Sequence, residues 1–156
     1  MKSPTSSEQA YPGSGTSVGQ LLDLAEEYHA AHIQLLLSPN SGLPHASAPA
    51  RLLAIHAIEL YLNAYLLHKG VGPQSLRGLQ HDLSKRTALA IEHGLVLRKR
   101  TADHLSSMHA AREYLSARYG PDLAKTWSEL NRLTATLQEV FKKVYPPLTC
   151  RPTSLN

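Results

Sequence analysis

The chain is poor in cysteine: Cys150 is the only one among 156 residues. No disulfide can therefore form within the chain, and nothing in the composition argues for an oxidising compartment. The sequence also lacks an uninterrupted apolar run of the ~18 residues that a membrane-spanning helix requires. Its first residues, MKSPTSSEQAYPGSG, contain no apolar core of a signal peptide. From these absences we expect a cytoplasmic protein without a membrane segment.

Signatures of metal and cofactor sites are also missing. There is no phosphate-binding loop and no His-Glu-x-x-His motif. Glu26 and His29 form one Glu-x-x-His, but a di-iron bundle needs a second copy. His29 and His32 have the spacing of a helical ligand pair but no obvious third ligand. We therefore expect neither a metal centre nor a cofactor, and the net charge of +4 permits phosphate contact without identifying a partner.

Helical periodicity dominates the remaining sequence, and no alternating apolar pattern or fixed-period repeat competes with it. The pattern predicts an all-α, antiparallel up-and-down bundle of four long helices and one short helix. Single-domain boundaries are expected at 16–145, with tails at 1–15 and 146–156. The predicted helices run from Val18 to Leu37, from Ser47 as N-cap to Gly70, from Asp82 to Gly94, from Thr101 to Tyr119, and onward from Pro121.

The second predicted helix, RLLAIHAIELYLNAYLLHKG, is apolar almost all the way round, yet it carries His56, Glu59 and Asn63. At about 100° per residue these three side chains fall within roughly 60° of one another. Arg112 interrupts the apolar seam of the fourth predicted helix in a similar way. Because an unpaired buried charge is costly, we hypothesise an ion pair between Glu59 and Arg112. Two alternatives stay open: the residues line a wet cleft, or they form a solvent edge from which Arg112 reaches water.

Three segments, AIHAIELYLNAYLLHKG, GLQHDLSKR and HAAREYLSARYG, follow one another on these helices. Over roughly residues 47–120 this ordered set resembles the HEPN family of small prokaryotic α-helical bundles. The resemblance implies a homodimer from a family associated with RNA cleavage, toxin–antitoxin pairs and minimal nucleotidyltransferase partners. The family's catalytic members use an arginine, four to six further residues and then a histidine near a shared dimer cleft, without a metal.

The family's arginine–histidine pair is incomplete on the helix that carries the resemblance. Arg112 is followed at the permitted distance by Arg118, and no histidine comes later. His109 precedes Arg112 by three residues and is a candidate base in reversed order. The arrangement therefore favours a module without the intact catalytic motif.

Two other segments satisfy the spacing numerically: Arg51 with His56, and Arg98 with His104. With 16 basic residues and nine histidines, such coincidences are expected. Arg98 and His104 are the better candidates because the RKR at 98–100 adds charge that attracts phosphate. The alternative interpretation of this segment is a solvated helix start.

His81 and Asp82 match the family most closely in their letters. We expect Asp82 to cap the third helix and His81 to pack or hydrogen-bond at the loop. The sequence as a whole predicts a HEPN-like binding module that docks a partner protein, a nucleotide or RNA, and the alternative is a metal-independent ribonuclease. The candidate binding residues are Glu59, Arg112, His56, Asn63, His81 and Asp82.

Overall fold

The computed structural model describes residues 11–38 and 44–150. Within these ranges the chain forms seven α-helices and one 3-10 helix, and no strand. The all-α prediction is confirmed for this part of the chain. The helices are α1 (Val18–Leu37), α2 (Ser47–His68), α3 (Pro73–Gly78), α4 (Leu83–Glu92), α5 (Lys99–Ala110), α6 (Glu113–Tyr119), the 3-10 helix Pro121–Thr126, and α7 (Leu130–Thr149).

Local sequence accounts for several helix ends. Ser17 and Gln20 form a capping box on α1, each side chain accepting the other's backbone N–H at 3.1 and 2.9 Å. Asp82 caps α4 as predicted, because its Oδ1 accepts the N–H of Lys85 at 2.9 Å. The prediction that Ser47 caps α2 is wrong, since Ser47 is already helical and Ala46 is the N-cap.

Helix α2 is the central helix of the fold. It packs against α1, α4, α6 and α7, and its largest enclosed side chains include Ile55, Ile58, Tyr61 and Leu62. By length and composition it is the one helix in the described ranges apolar enough to cross a membrane, and 72% of that apolar window is buried in the fold. A core helix passes the same test, and α2 is the core helix here.

Helix directions depart in part from the expected up-and-down arrangement. Helix α1 runs antiparallel to α2, as expected. Helix α4, by contrast, runs in the same general direction as α2, because successive contacts pair Glu59 with His81, Asn63 with Arg86, and Tyr65 with His93. The segment at 70–82, which includes α3, returns the chain along α2 before α4 begins.

The predicted helix from Thr101 to Tyr119 is interrupted. Helix α5 ends at Ala110, and α6 begins at Glu113 after Arg112, which has left-handed backbone angles of φ 51° and ψ 40°. The turn directs the carboxylate of Glu113 to Arg51 of α2, whose Nη1 lies 2.8 Å from Oε1. This buried contact joins residues 62 positions apart, so helical periodicity alone could not reveal the break.

The predicted helix from Pro121 is likewise divided into the 3-10 helix and α7. Trp127, in the connection, donates its indole N–H to the hydroxyl of Ser116 at 2.7 Å. The hydroxyl of Ser128 donates to Glu113 at 3.0 Å, which fixes the start of α7 against α6. Helix α7 continues to Thr149, beyond the expected domain end at 145.

Candidate functional site

The polar stripe of α2 meets the chain that leads into α4. Glu59 is only 6% exposed, and the Nδ1 atom of His81 lies 3.2 and 3.3 Å from its two carboxylate oxygens. The Nδ1 atom of His56 lies 3.7 Å from the same carboxylate. Asn63, one turn further, accepts a hydrogen bond from Nε of Arg86 at 2.8 Å. We name these five residues, His56, Glu59, Asn63, His81 and Arg86, the Glu59 cluster.

The hypothesised Glu59–Arg112 ion pair is not formed. Arg112 is exposed, precedes α6 as its N-cap, and makes no ion pair with another described residue. The buried cation of the Glu59 cluster is Arg86, which is 2% exposed and also donates from Nη2 to the carbonyl of Gln80 at 2.6 Å. Arg86 was missed by the sequence reasoning, although it lies on the buried face of α4 with Leu83 and Ala90. A charged residue at helical spacing among apolar residues is the same signal that singled out Arg112 in the sequence.

The Glu59 carboxylate is held in its ionised form. Burial alone would raise the pKa of Glu59, but the contact with His56, the positive charge of Arg86 and the hydrogen bond from His81 outweigh burial and hold the pKa below its ordinary value. An ionised carboxylate only accepts hydrogen bonds, so the proton of a neutral His81 resides on Nδ1 and its Nε2 keeps a lone pair. The side chain of His81 is 43% exposed. A histidine oriented by a carboxylate in this way is an arrangement that acid–base catalysts use.

Asp82 and His109 extend the polar region toward α5. The Nε2 atom of His109 lies 3.4 Å from Oδ1 of Asp82, the oxygen that caps α4. The ring of His81 packs on Tyr114 of α6, with 5.2 Å between ring centroids. The structure therefore brings together His81, Asp82 and His109, whereas the described contact between His109 and Arg112 is a backbone hydrogen bond from the N–H of Arg112 to the carbonyl of His109 at 2.9 Å.

His104 is buried rather than available to a substrate. It is 1% exposed, and its Nδ1 lies 2.7 Å from the hydroxyl oxygen of Thr136 on α7. Burial, together with the charges of Arg132, Arg100 and Arg51, lowers the pKa of His104 to about 4. The imidazole is therefore neutral at pH 7 and enclosed by protein, which argues against His104 as a candidate catalytic base.

Arg98 is held by a different partner from the one its spacing suggested. Its backbone N–H and its Nε both bond the carboxylate of Glu139 at 2.8 Å, and the Thr101 hydroxyl donates to the same group at 2.5 Å. Burial would raise the pKa of Glu139, but the hydrogen bonds from Thr101 and Arg98 hold it below its ordinary value. Glu139 thus fastens the start of α5 to the middle of α7.

Arg51 and His56, the other pair with the required spacing, contact different partners. Arg51 is buried, pairs with Glu113, and places its guanidinium carbon 5.2 Å from the ring centroid of Trp127. His56 instead contacts Glu59 and packs edge-on to Tyr28, with 4.5 Å between centroids. No arginine–histidine pair proposed from spacing is assembled within the described part of one chain.

Between the first turns of α5 and α7 lies a cleft of about 670 Å³, which we name the arginine cleft. Its lining contains three arginines and one glutamate, and one of the arginines, Arg98, is paired with Glu139 behind the lining. The sequence indicated the α5 side through its RKR segment, but not Arg132, which follows 32 residues after Arg100. The lining includes Arg98, Arg100, Thr101, Glu129, Arg132 and Thr136.

Among residues 11–38 and 44–150, no group of three or more His, Cys, Asp or Glu side chains has the arrangement of a metal site. No protein-family model, curated protein or solved structure matches this chain. The Glu59 cluster and the arginine cleft are therefore the features from which a function is inferred, together with the HEPN resemblance.

Proposed function

We propose that the protein is a HEPN-like helical module that binds RNA through the arginine cleft without cleaving it there. The observation that carries the proposal is the convergence of Arg98, Arg100 and Arg132 on one cleft with a single opposing carboxylate, Glu129. Phosphate contacts from arginine supply much of the affinity of nucleic-acid-binding proteins. One guanidinium can donate two parallel hydrogen bonds to two oxygens of the same phosphate.

The cleft volume favours single-stranded RNA. At about 670 Å³ it is comparable to a small-molecule site and has room for roughly one or two nucleotides. Unpaired strands bind proteins in basic grooves that follow the backbone, whereas duplex RNA requires a much longer surface. We therefore propose an unpaired segment or end of RNA as the ligand.

The side chains near the cleft support binding rather than catalysis. His104 is enclosed and neutral, and Arg98 is held by Glu139. Arg112, on the surface elsewhere, is followed by Arg118 where the family's histidine would be. Homodimerisation, a cytoplasmic location and pairing with an antitoxin or a minimal nucleotidyltransferase belong to the proposal through the HEPN resemblance.

The test is fluorescence anisotropy of a labelled single-stranded RNA in EDTA, with two double variants. Arg100→Ala/Arg132→Ala removes two cleft charges, and Lys142→Ala/Lys143→Ala removes two exposed charges of α7 that lie outside the cleft lining. We expect the arginine variant to bind at least about 10-fold more weakly. Its plot of log K against log salt should become shallower by about 1.4, since each single-strand phosphate contact contributes about 0.7.

The lysine variant should bind almost as tightly as the wild type. Equal weakening in both variants would show that only overall charge matters. Absence of binding by the wild type would refute the proposed function.

A second function, metal-independent RNA cleavage, is favoured by one specific observation, the Glu59–His81 contact. His81 has the orientation of a base that accepts the proton of a ribose 2′-hydroxyl on Nε2. Incubation of labelled RNA in EDTA with wild type, His81→Gln and His68→Gln tests it, since His68 is an exposed histidine at the end of α2. Cleavage that only His81→Gln abolishes would support this function, and intact RNA with the wild type would refute it.

A further inference from the structure

The arginine cleft holds two guanidiniums that make no ion pair with a described residue, those of Arg100 and Arg132. Arg98 is paired with Glu139, and Glu129, the carboxylate of the lining, pairs with neither Arg100 nor Arg132 among the described contacts. A phosphodiester carries one negative charge, whereas a terminal phosphate carries about 1.5 to 2 at pH 7. The two unpaired guanidiniums therefore match a phosphomonoester better than a phosphodiester.

The first turn of α5 adds hydrogen-bond donors to the same wall. The N–H groups of Lys99 and Arg100 are among the first of the helix and so have no acceptor within it. This turn has no acidic residue of its own, and Glu139 accepts the N–H of Arg98, the residue before the helix, rather than those of Lys99 and Arg100. The N-terminus of this 12-residue helix also favours negative charge through its dipole.

The α5 wall is fixed before any ligand arrives. Glu139 binds the backbone N–H and Nε of Arg98 and the hydroxyl of Thr101, and Glu139 itself is 5% exposed. Arg100 and Arg132 make no ion pair with a described residue, so their guanidiniums are available to a ligand. A preformed wall with two available guanidiniums reduces the ordering that binding requires.

We infer that the arginine cleft selects a phosphomonoester, with Arg100 and Arg132 as its principal contacts and Arg98 as the side chain that Glu139 holds in place. The phosphate is the terminal phosphate of an RNA strand or that of a free nucleoside monophosphate. This inference rests on the proposed function, which requires only that the cleft binds RNA. It adds that the phosphate group itself is the recognised feature.

The experiment measures anisotropy for one 10-nucleotide RNA in three forms: 5′-phosphorylated, 3′-phosphorylated, and with hydroxyl groups at both ends. A fluorophore attached to an internal base leaves both ends free. We expect one phosphorylated form to bind at least 10-fold more tightly than the hydroxyl form, and Arg132→Ala to abolish that difference. Glu129→Gln should strengthen binding of that form several-fold, because it removes the only carboxylate of the lining. Lys143→Ala, at an exposed residue of α7 outside the lining, is the matched control and should keep the preference.

Competition separates the two sources of the phosphate. A nucleoside monophosphate that displaces the phosphorylated RNA at similar concentration would identify the free nucleotide as a sufficient ligand, whereas weak displacement would require the strand. Equal affinity for the phosphorylated and hydroxyl forms, with both weakened by Arg100→Ala/Arg132→Ala, would overturn the inference and leave the proposed function standing.

If no RNA binds, the proposed function fails, and titration with nucleoside monophosphate followed by thermal shift still decides the inference. A shift that Arg132→Ala removes would support phosphomonoester binding. No shift would refute it.

Discussion

His81 and Glu59 join the entry of α4 to the middle of α2, with Nδ1 of the histidine 3.2 Å from one carboxylate oxygen and 3.3 Å from the other. The polar stripe of the otherwise apolar α2 exists because α4 supplies complementary groups to it. Asn63 meets Arg86 in the same arrangement, 2.8 Å apart. The Glu59 cluster is therefore a polar seam between two helices of the core.

Replacement of Arg86 by methionine should destabilise the fold strongly. The substitution removes the buried positive charge beside Glu59 and leaves the carbonyl of Gln80 and the amide oxygen of Asn63 without their donor. Loss of one member of a buried charged group lowers the free energy of unfolding by about 3 kcal/mol or more. Urea denaturation measures this change. Arg112→Met is the matched control, and at this exposed position we expect a change within about 0.5 kcal/mol.

A double-mutant cycle identifies the interaction behind that loss. If Arg86 stabilises the Glu59 carboxylate, Glu59→Gln should cost less in the Arg86→Met background than in the wild type, by about 1 kcal/mol or more. Strictly additive effects would show that the two side chains do not interact energetically. A large loss in Arg112→Met would restore the pair that the sequence suggested.

Glu59→Gln should remove a specific part of the acid sensitivity of the fold. The pKa of Glu59 in the folded protein lies below its ordinary value of 4.5, so the unfolded chain binds the proton more readily. The resulting stabilisation is complete above about pH 4.5 and is lost as the pH falls through the lower pKa of the folded state. The stability difference between wild type and Glu59→Gln should thus shrink between pH 6 and pH 3.

Urea denaturation at several pH values within that range measures the difference. Glu27→Gln, at an exposed position of α1, supplies the comparison for loss of a carboxylate elsewhere. A stability difference that stays constant down to pH 3 would contradict the lowered pKa.

His104→Gln should make the free energy of unfolding less sensitive to acid between about pH 6.5 and pH 4. The unfolded histidine takes up a proton near pH 6.5, whereas the buried His104 stays neutral until about pH 4. The unfolded state therefore binds more protons between these values, and wild-type stability falls as the pH falls through that window. From pH 7 to pH 5 this one group accounts for about 2 kcal/mol of lost stability, at about 1.36 kcal/mol per pKa unit.

The measurement is the free energy of unfolding at pH 7 and pH 5 for wild type, His104→Gln and His68→Gln. The exposed His68 should leave the pH dependence unchanged. His104→Gln should be the less pH-sensitive protein, and an identical pH dependence in all three would show that His104 is protonated normally in the folded state.

The sequence pattern was sufficient to predict α1 and α2, because α1 has regular apolar spacing and α2 is a long apolar segment followed by a glycine. It could not predict the break at Arg112. The surrounding residues, Ala110, Ala111 and Glu113, include good helix formers. The decisive contact, between Glu113 and Arg51, joins α6 to a helix far away in the sequence.

The candidate site was predictable to a similar degree. The stripe of His56, Glu59 and Asn63 follows from helical geometry, and all three contribute to the Glu59 cluster. The sequence could not show which arginine accompanies these residues, because Arg86 and Arg112 both interrupt apolar helix faces. The arginine cleft combines RKR with Arg132 only after α5 and α7 pack together, a relationship that no local pattern contains.

Glu139→Gln tests whether RNA binding depends on the position in which Glu139 holds Arg98, apart from the charge of the arginine cleft. The carboxylate accepts bonds from the N–H and Nε of Arg98 and from the hydroxyl of Thr101, and an amide keeps only one acceptor oxygen. Because hydrogen bonds to charged groups contribute about 1.5–3 kcal/mol each, the free energy of unfolding of the variant should be lower by about 2 kcal/mol. The substitution also releases the Arg98 guanidinium, which belongs to the cleft lining, from its ion pair, and this change alone would favour RNA. The variant should nevertheless bind RNA several-fold more weakly, because Arg98 and the first turn of α5 lose their anchor.

Anisotropy and urea denaturation on the same preparation measure both effects, and unchanged or tighter RNA binding would show that the position of Arg98 does not matter to the cleft.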